Sequence, residues 1–580
     1  MSGTLGHDSK AGLLASVPSE EASHRAGASS RMQGDEPPDS PAVPFLGTPV
    51  GSHGITVWQL VGMTYFAVSG GPFGFEDAIG AGGALLSSVG VAFLCIVWSL
   101  PLSMMTMELS NLIPGAGGHV LWVKAGLGLW WARQHSLCVF LNSVFDNAMY
   151  PVLCIDYLQE LWPGLELNAF GYWVMCAVIV GLALCFNVLG IDLVGNASVI
   201  FTVMTMLPFV VMVVLGLPEV DLGRIAEVPK GGVEWGRFVS LLLWNTCGYD
   251  SVGSISQEVG NPGKAFPVAL KITVALTSVN YLLPSIVGVG AVKHIPLHRW
   301  TDGTFGYVAS EIGSRYSSWG GTFLGSWLSA AACASSFGLL TALICTSSRL
   351  VVGMSASGVL PEFYGRASTR FETPVVAILL NSLTCLVAIV LGIAFSSFVG
   401  QPMSSLFATL TEANMFFYNV STLLKFAALY RLRFSVDPHG NRPYKIWVSS
   451  RAGMLAFIAA PVACCVVGIA LTNRWPLIFG SVVVIAHLGV GALGTFLGWY
   501  PKDQGLPGLI SDDDDDVSSH GRAPLGTKSL LPTFTAVDPQ DGPTSSGRSS
   551  FEDQRSDAGS EGGVLPLTRS SLELVDCARL

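Results

Sequence analysis

Twelve stretches of apolar residues, most near the ~20 residues that cross a bilayer as a helix, govern what this chain can become. They lie at about 54–84, 87–112, 130–160, 170–189, 194–217, 236–257, 266–292, 320–348, 374–398, 404–430, 453–472 and 476–499. Lipid offers no partner to a backbone N–H or C=O, so each stretch must close its hydrogen bonds internally, as a helix. Half of the 580 residues are apolar and 12% are charged, with a mean hydropathy of +0.54, where a soluble domain carries about a quarter charged. The expected fold class is all-α and polytopic, with about twelve transmembrane helices.

Two of the stretches are interrupted. The first breaks at Gly70-Gly71-Pro72-Phe73-Gly74 and runs into Glu76 and Asp77. Proline removes a donor and the glycines loosen the helix, so backbone groups are freed at membrane depth. Two carboxylates there cost ~2.5–3.5 kcal/mol each on insertion scales, which makes a functional reason the expectation. The sixth stretch reads Leu243-Trp244-Asn245-Thr246-Cys247-Gly248-Tyr249-Asp250 and repeats the order glycine, aromatic, acid of Gly74-Phe75-Glu76. Broken helices at corresponding places in two halves point to a transporter of five-plus-five inverted repeats, with its site between the breaks. The expected layout is a twelve-helix transporter domain over 51–501. It lies between a disordered tail at 1–50 and a disordered, acidic, Ser-rich tail at 502–580, both poor in hydrophobic residues. The net charge of −10 owes much to these tails, including the run Asp512 to Asp516.

Lys and Arg in the short loops favour the side that carries the N-terminus, where Lys124, Arg133, Lys264, Arg366, Arg442 and Lys445 fall. The positive-inside rule then puts both termini in the cytoplasm, with the plasma membrane as the expected site. Cysteines from Cys95 to Cys465 sit inside apolar stretches and read as small core residues. The ten histidines read as scattered, and no HExxH, GxSxG or P-loop pattern is present. Neither enzyme activity, a metal site, a cofactor nor nucleic-acid binding is expected.

The residues that carry chemistry cluster at the breaks and in the third stretch. Glu76 and Asp77 either cap the second half-helix or face a cavity, and which does which stays open. Asp146 and Tyr150 are four apart and share a helix face. Trp244 and Tyr249 can gate a cavity or hold an ammonium by cation–π contact, and Asp250 follows the sixth break as Glu76 follows the first. Glu108 and Glu258 lie near helix ends, where a loop Lys or Arg can pair with them. Lys425 and Arg431 are expected to reach the inner surface by snorkelling. With no Lys or Arg expected near the breaks, Glu76, Asp77, Asp146 and Asp250 favour a cation, and several acids suggest several positive charges. An amino acid would bring a carboxylate that Pro72 and Glu76 both disfavour. A diamine or polyamine escapes this, with agmatine or arginine as nearest competitor.

The chain resembles the amino acid–polyamine–organocation transporters from about residue 54 to 500, and within them the plant polyamine uptake and trypanosomatid polyamine transporter branch. The resemblance is carried by Ser69-Gly-Gly-Pro-Phe-Gly-Phe-Glu-Asp77, Asp146-Asn-Ala-Met-Tyr-Pro151, Leu207-Pro-Phe-Val-Val-Met212, Glu258-Val-Gly-Asn-Pro-Gly-Lys264, Leu360-Pro-Glu-Phe363 and Arg442-Pro-Tyr-Lys445. It implies a LeuT-like fold and import of putrescine-type polyamines (putrescine, cadaverine, spermidine) coupled to a cation, taken as H⁺. By position it implies a substrate site of Gly70, Phe73, Glu76, Asp77, Asp146, Tyr150, Trp244, Asn245, Tyr249 and Asp250. The plant pattern has a second Asn and a Trp where this chain reads Thr246-Cys247-Gly248-Tyr249. The fifth stretch has no intramembrane Lys, so coupling would rest on Glu76, Asp146 or Glu412. The alternatives are a cationic amino-acid (arginine/lysine) transporter and a non-transporting nutrient sensor that signals through its tails.

Overall fold

The computed structural model describes residues 54–498, apart from 163, 166, 369, 401–405 and 437–441. The expected tails at 1–50 and 502–580 lie outside the described residues. In chain order the α-helices are α1 (Val57–Val68), α2 (Glu76–Gly82), α3 (Ala84–Leu94), α4 (Leu100–Leu112), α5 (His119–Leu127), α6 (Leu129–Leu161), α7 (Ala169–Leu189), α8 (Ile191–Gly216), α9 (Leu222–Ile225), α10 (Trp235–Asn245), α11 (Pro262–Ala291), α12 (Thr304–Ser314), α13 (Gly320–Ala356), α14 (Val375–Val399), α15 (Leu406–Arg431), α16 (Arg451–Leu471) and α17 (Arg474–Phe496). A 3-10 stretch, Ser251–Glu258, continues the line of α10 beyond the sixth break.

Among the described residues, nine helical segments are long and apolar enough to cross a membrane, and the chain is a multi-pass membrane protein. The remaining apolar stretches are the two broken helices, α1–α2 and α10 with its 3-10 continuation, and α15, whose polar residues lower its hydropathy. The second apolar stretch is continuous from Ala84 to Leu112, but it widens to a π-helical turn at Cys95–Ser99. Pro101 explains this: it cannot donate to the preceding turn and its ring crowds that turn's carbonyl. α13 runs eight residues past the expected end at 348, because Arg349 finds a buried partner. Two helices, α5 and α12, join the framework without having been expected; at nine and eleven residues they are too short to read as spans.

The breaks are held open by specific bonds. α1 starts on a capping box between Thr56 and Gln59. It ends where Gly70, Gly71 and Gly74 take φ of 63°, 137° and 79°, values that glycine alone adopts freely. Ser69 Oγ accepts from the Gly71 N–H at 3.3 Å, and Ser335 of α13 donates to the Gly70 carbonyl at 2.6 Å. At the sixth break Ser99 donates to the Thr246 carbonyl at 2.7 Å, and the Gly248 N–H donates to Tyr418 Oη at 3.2 Å. The two breaks touch. A Cβ on Gly248 (φ 90°) would stand 2.3 Å from the Ala67 carbonyl, so only glycine lets the chains meet. Two facing breaks position backbone and side chains of four half-helices around one volume.

Candidate functional site

The end of the bundle at which α1 begins is here called the lower end. There the structure is closed. Ile55 pairs with Val259 through a bridge, with its N–H on the Glu258 carbonyl at 2.9 Å. Glu258 takes Arg349 bidentately at 2.8 and 3.2 Å. Glu108 takes Arg433 at 2.8 Å and Arg442 at 3.2 Å. Both glutamates therefore pair with arginines, as their places near helix ends suggested.

The upper end is open. A cavity of about 850 Å³ is lined by Asp77, Asp156, Glu234, Asp302 and Glu412, with Arg237 and Arg474 as its cations. Five carboxylates against two guanidiniums draw cations inward. Asp77, on α2, holds Arg237 of α10 at 2.6 Å, and Asn473 donates to Glu412 at 2.5 Å. Asp302, in the loop before α12, is pushed well above the ordinary carboxylate range, first by burial and then by its acidic neighbours Asp77 and Glu76.

Two turns below Arg237 on α10 lies Trp244, and here the site narrows. Asp146, from the middle of α6, receives three hydrogen bonds on Oδ1: Asn414 Nδ2 at 3.0 Å, Trp244 Nε1 at 3.3 Å and Tyr150 Oη at 3.3 Å. Trp244 stacks on Tyr150 at 6.4 Å and meets Phe407 edge-on at 5.4 Å. Gly74 leaves room for this indole, since a Cβ there would stand 3.1 Å from its ring. Below the indole, Asp146 lines a second, polar cavity of about 20 Å³, which also touches Asn142, Ser143, Asn147, Asp250, Ser347 and His119. That is room for about one water. The arrangement offers one carboxylate, oriented by three donors and walled by aromatic rings, which suits an alkylammonium.

The ten sequence candidates separate into groups. Asp146, Tyr150 and Trp244 come together. Asp77 lines the upper cavity, while Glu76 turns into the protein, where Tyr157 donates to its Oε1 at 3.0 Å. Phe75 holds the N-cap position of α2 without a side-chain capping bond, and both acids stand in the first turn. Phe73 packs on Tyr157 and Phe209 at 5.3 and 5.0 Å, and Gly70 seats α13 against the break. Asn245 donates back to the Leu241 carbonyl, and Tyr249 is buried toward Ser99 and Thr277.

Asp250 has a cation of its own. Lys425 Nζ lies 2.5 Å from Oδ2, and Tyr418 Oη donates to Oδ1 at 2.6 Å. This corrects two expectations, that no basic residue stands near the sixth break and that Lys425 snorkels to the surface: Lys425 is 1% exposed. The cost of burying its ammonium is offset by the carboxylate and by the Tyr418 ring, 4.5 Å away. The cue was a polar stripe on α15, Asn414, Tyr418, Ser421 and Lys425, spaced for one helix face. Asn414, Phe407, Arg237 and Asp302 are further site residues that sequence reasoning missed.

The sequence pattern of the amino acid permeases matches residues 55–488. The chain belongs to the amino acid permease family. Among its relatives, this permease is 33% identical over 453 residues to the polyamine transporter PUT1 of Oryza sativa subsp. japonica, covering 77% of this chain and 78% of the relative. It is 34% identical over 423 residues to the polyamine transporter RMV1 of Arabidopsis thaliana, covering 72% and 81%. Similarity to the vacuolar cationic amino acid transporter 4 of Arabidopsis thaliana is lower, 25% over 290 residues and 46% of each chain.

Proposed function

We propose that this permease imports polyamines of the putrescine type by alternating access, driven by protons. On this reading two inverted five-helix repeats and two further helices form twelve crossings, the lower end faces the cytoplasm together with both termini, and the plasma membrane is the site of action. The carrying observation is the Asp146 carboxylate, walled by Trp244, Tyr150 and Phe407 beneath an acid-lined vestibule, in a chain about one-third identical to polyamine transporters. One ammonium sits on Asp146, the methylene chain lies along the rings, and the second ammonium meets the acids above. The open upper end and closed lower end fit an outward-facing state.

An amino-acid substrate fits less well. Its carboxylate would need free N–H groups at the first break. The amides of Ser69, Gly70 and Phe75 are bonded to backbone carbonyls and that of Gly71 to Ser69 Oγ, and Pro72 has none. The two that are left, of Phe73 and Gly74, lie just before the acids Glu76 and Asp77 in sequence, which repel a carboxylate. The test is uptake of labelled putrescine in a transport-deficient cell, with and without a protonophore. Saturable uptake is expected, competed by cadaverine or spermidine but not by arginine or lysine, and abolished by the protonophore. Equal competition by arginine would favour the cationic amino-acid reading, and no accumulation of any substrate would favour a sensor.

A further inference from the structure

Two histidines sixteen residues apart, read as scattered in the sequence, meet below the site. His119 opens α5 and His135 lies on α6. His119 Nδ1 is 3.0 Å from His135 Nε2, with the rings edge to face at 5.2 Å. The other nitrogen of His119, Nε2, is 3.9 Å from Asp250 Oδ2. His119 also lines the water-sized cavity that Asp146 and Asp250 share. Both imidazoles are buried. His135 packs on the Ser421 backbone, and its Nδ1 makes no hydrogen bond of ordinary geometry among the described residues. α6 begins at Leu129, so His135 lies less than two turns from the lower end of that helix.

The charges around the pair are few. Asp250 faces it from the sixth break, Lys425 and Tyr418 from α15 and Asp146 from α6, while Cys247 and Cys465 lie beside Lys425. α13 brings only the neutral Thr346 and Ser347 to the cavity. Further down, Glu258 and Glu108 are held by Arg349, Arg433 and Arg442, and His487 of α17 lies beside Arg133. Buried chains of acids and imidazoles inside a membrane protein mark proton routes, because imidazole can take a proton on one nitrogen and release one from the other.

We propose that His119 and His135 carry the coupling proton from the cavity beside Asp146 and Asp250 toward the lower end, an inference that rests on the proton-driven reading above. A proton from cavity water adds to His119 Nε2. His119 passes its Nδ1 proton to His135 Nε2, and His135 gives its Nδ1 proton to solvent water when the lower end opens in the transport cycle. One proton enters, one leaves, and both rings end neutral. Asp250 steadies the transient imidazolium, while Lys425 and Tyr418 fix the carboxylate and keep it ionised. Each passage inverts both tautomers, and in the return step each ring turns away from its neighbour and exchanges its proton with water, which restores the starting Nδ1–H form.

The test uses the purified full chain in liposomes, with labelled putrescine and a pH dye inside. For each coupled proton, one unit of imposed pH gradient sustains about a tenfold accumulation. The wild type should accumulate putrescine, acidify the lumen, and exchange internal for external putrescine at equal pH. His135→Gln should keep exchange within about twofold but lose the accumulation and the acidification, and His119→Gln should lose both as well. Accumulation and acidification at wild-type levels in both variants would overturn the relay. So would loss of exchange in both variants, which would make the pair structural, or a wild type that transports without acidifying. Absence of exchange in the wild type would instead refute the polyamine reading, and the relay with it.

Discussion

The two breaks read alike in sequence, glycine then aromatic then acid, yet their acids meet opposite surroundings. Glu76 accepts a hydrogen bond from the neutral Tyr157, whereas Asp250 is locked to the ammonium of Lys425. A carboxylate beside a broken helix is therefore not by itself a place for a cationic substrate; the rest of the fold decides whether a cation is already built in. Asp146, which sits at no break, has neutral donors and faces the shared cavity, and so becomes the stronger candidate.

Substitutions can break this contrast, and the largest effect is expected at the built-in pair. Lys425→Met leaves Asp250 buried without its cation, which should cost about 3–5 kcal/mol of stability. Thermal unfolding in detergent should show a clear loss, and the double variant Lys425→Met with Asp250→Asn should recover much of it. No difference between single and double variants would mean that the pair is not the source. Next comes Asp146→Asn, which removes the charge that an ammonium meets. Putrescine affinity should fall about 30-fold, the equivalent of one charged hydrogen bond of about 2 kcal/mol. Glu76→Gln keeps a partner for Tyr157 and should weaken uptake about fivefold at most, as for the loss of about 1 kcal/mol. An effect larger than that of Asp146→Asn would return Glu76 to the centre of the site. Smallest is Asp302→Asn. Burial and the neighbouring acids Asp77 and Glu76 push its carboxyl upward, so its charge is the least favoured there and the neutral amide is a mild replacement. Uptake at pH 7 should change less than twofold, and a large loss would show that the ionised form is used.

Much of the fold was legible because membrane helices are written in hydropathy and length. The third stretch, expected over 130–160, is α6 from Leu129 to Leu161, and both breaks fall at their glycines. The π-helical turn before Pro101 and the short α5 were not readable, since neither changes the apolar count. At the site, Asp146, Tyr150 and Trp244 were legible as polar or aromatic residues at membrane depth. Their partner Asn414 was not, because 268 residues separate it from Asp146. The same holds for Lys425, 175 residues from Asp250, and for Arg237, 160 from Asp77. A single sequence lists charges but does not pair them, and here the pairing decides which acids stay available.

The measurement that bears most directly on the central claim is putrescine accumulation by the wild type and by Asp146→Asn, reconstituted in liposomes under an inward proton gradient. The account predicts concentrative uptake by the wild type, insensitive to excess arginine, and almost none by the variant at the same putrescine concentration. Uptake by Asp146→Asn equal to the wild type, or wild-type uptake that arginine suppresses, would contradict it.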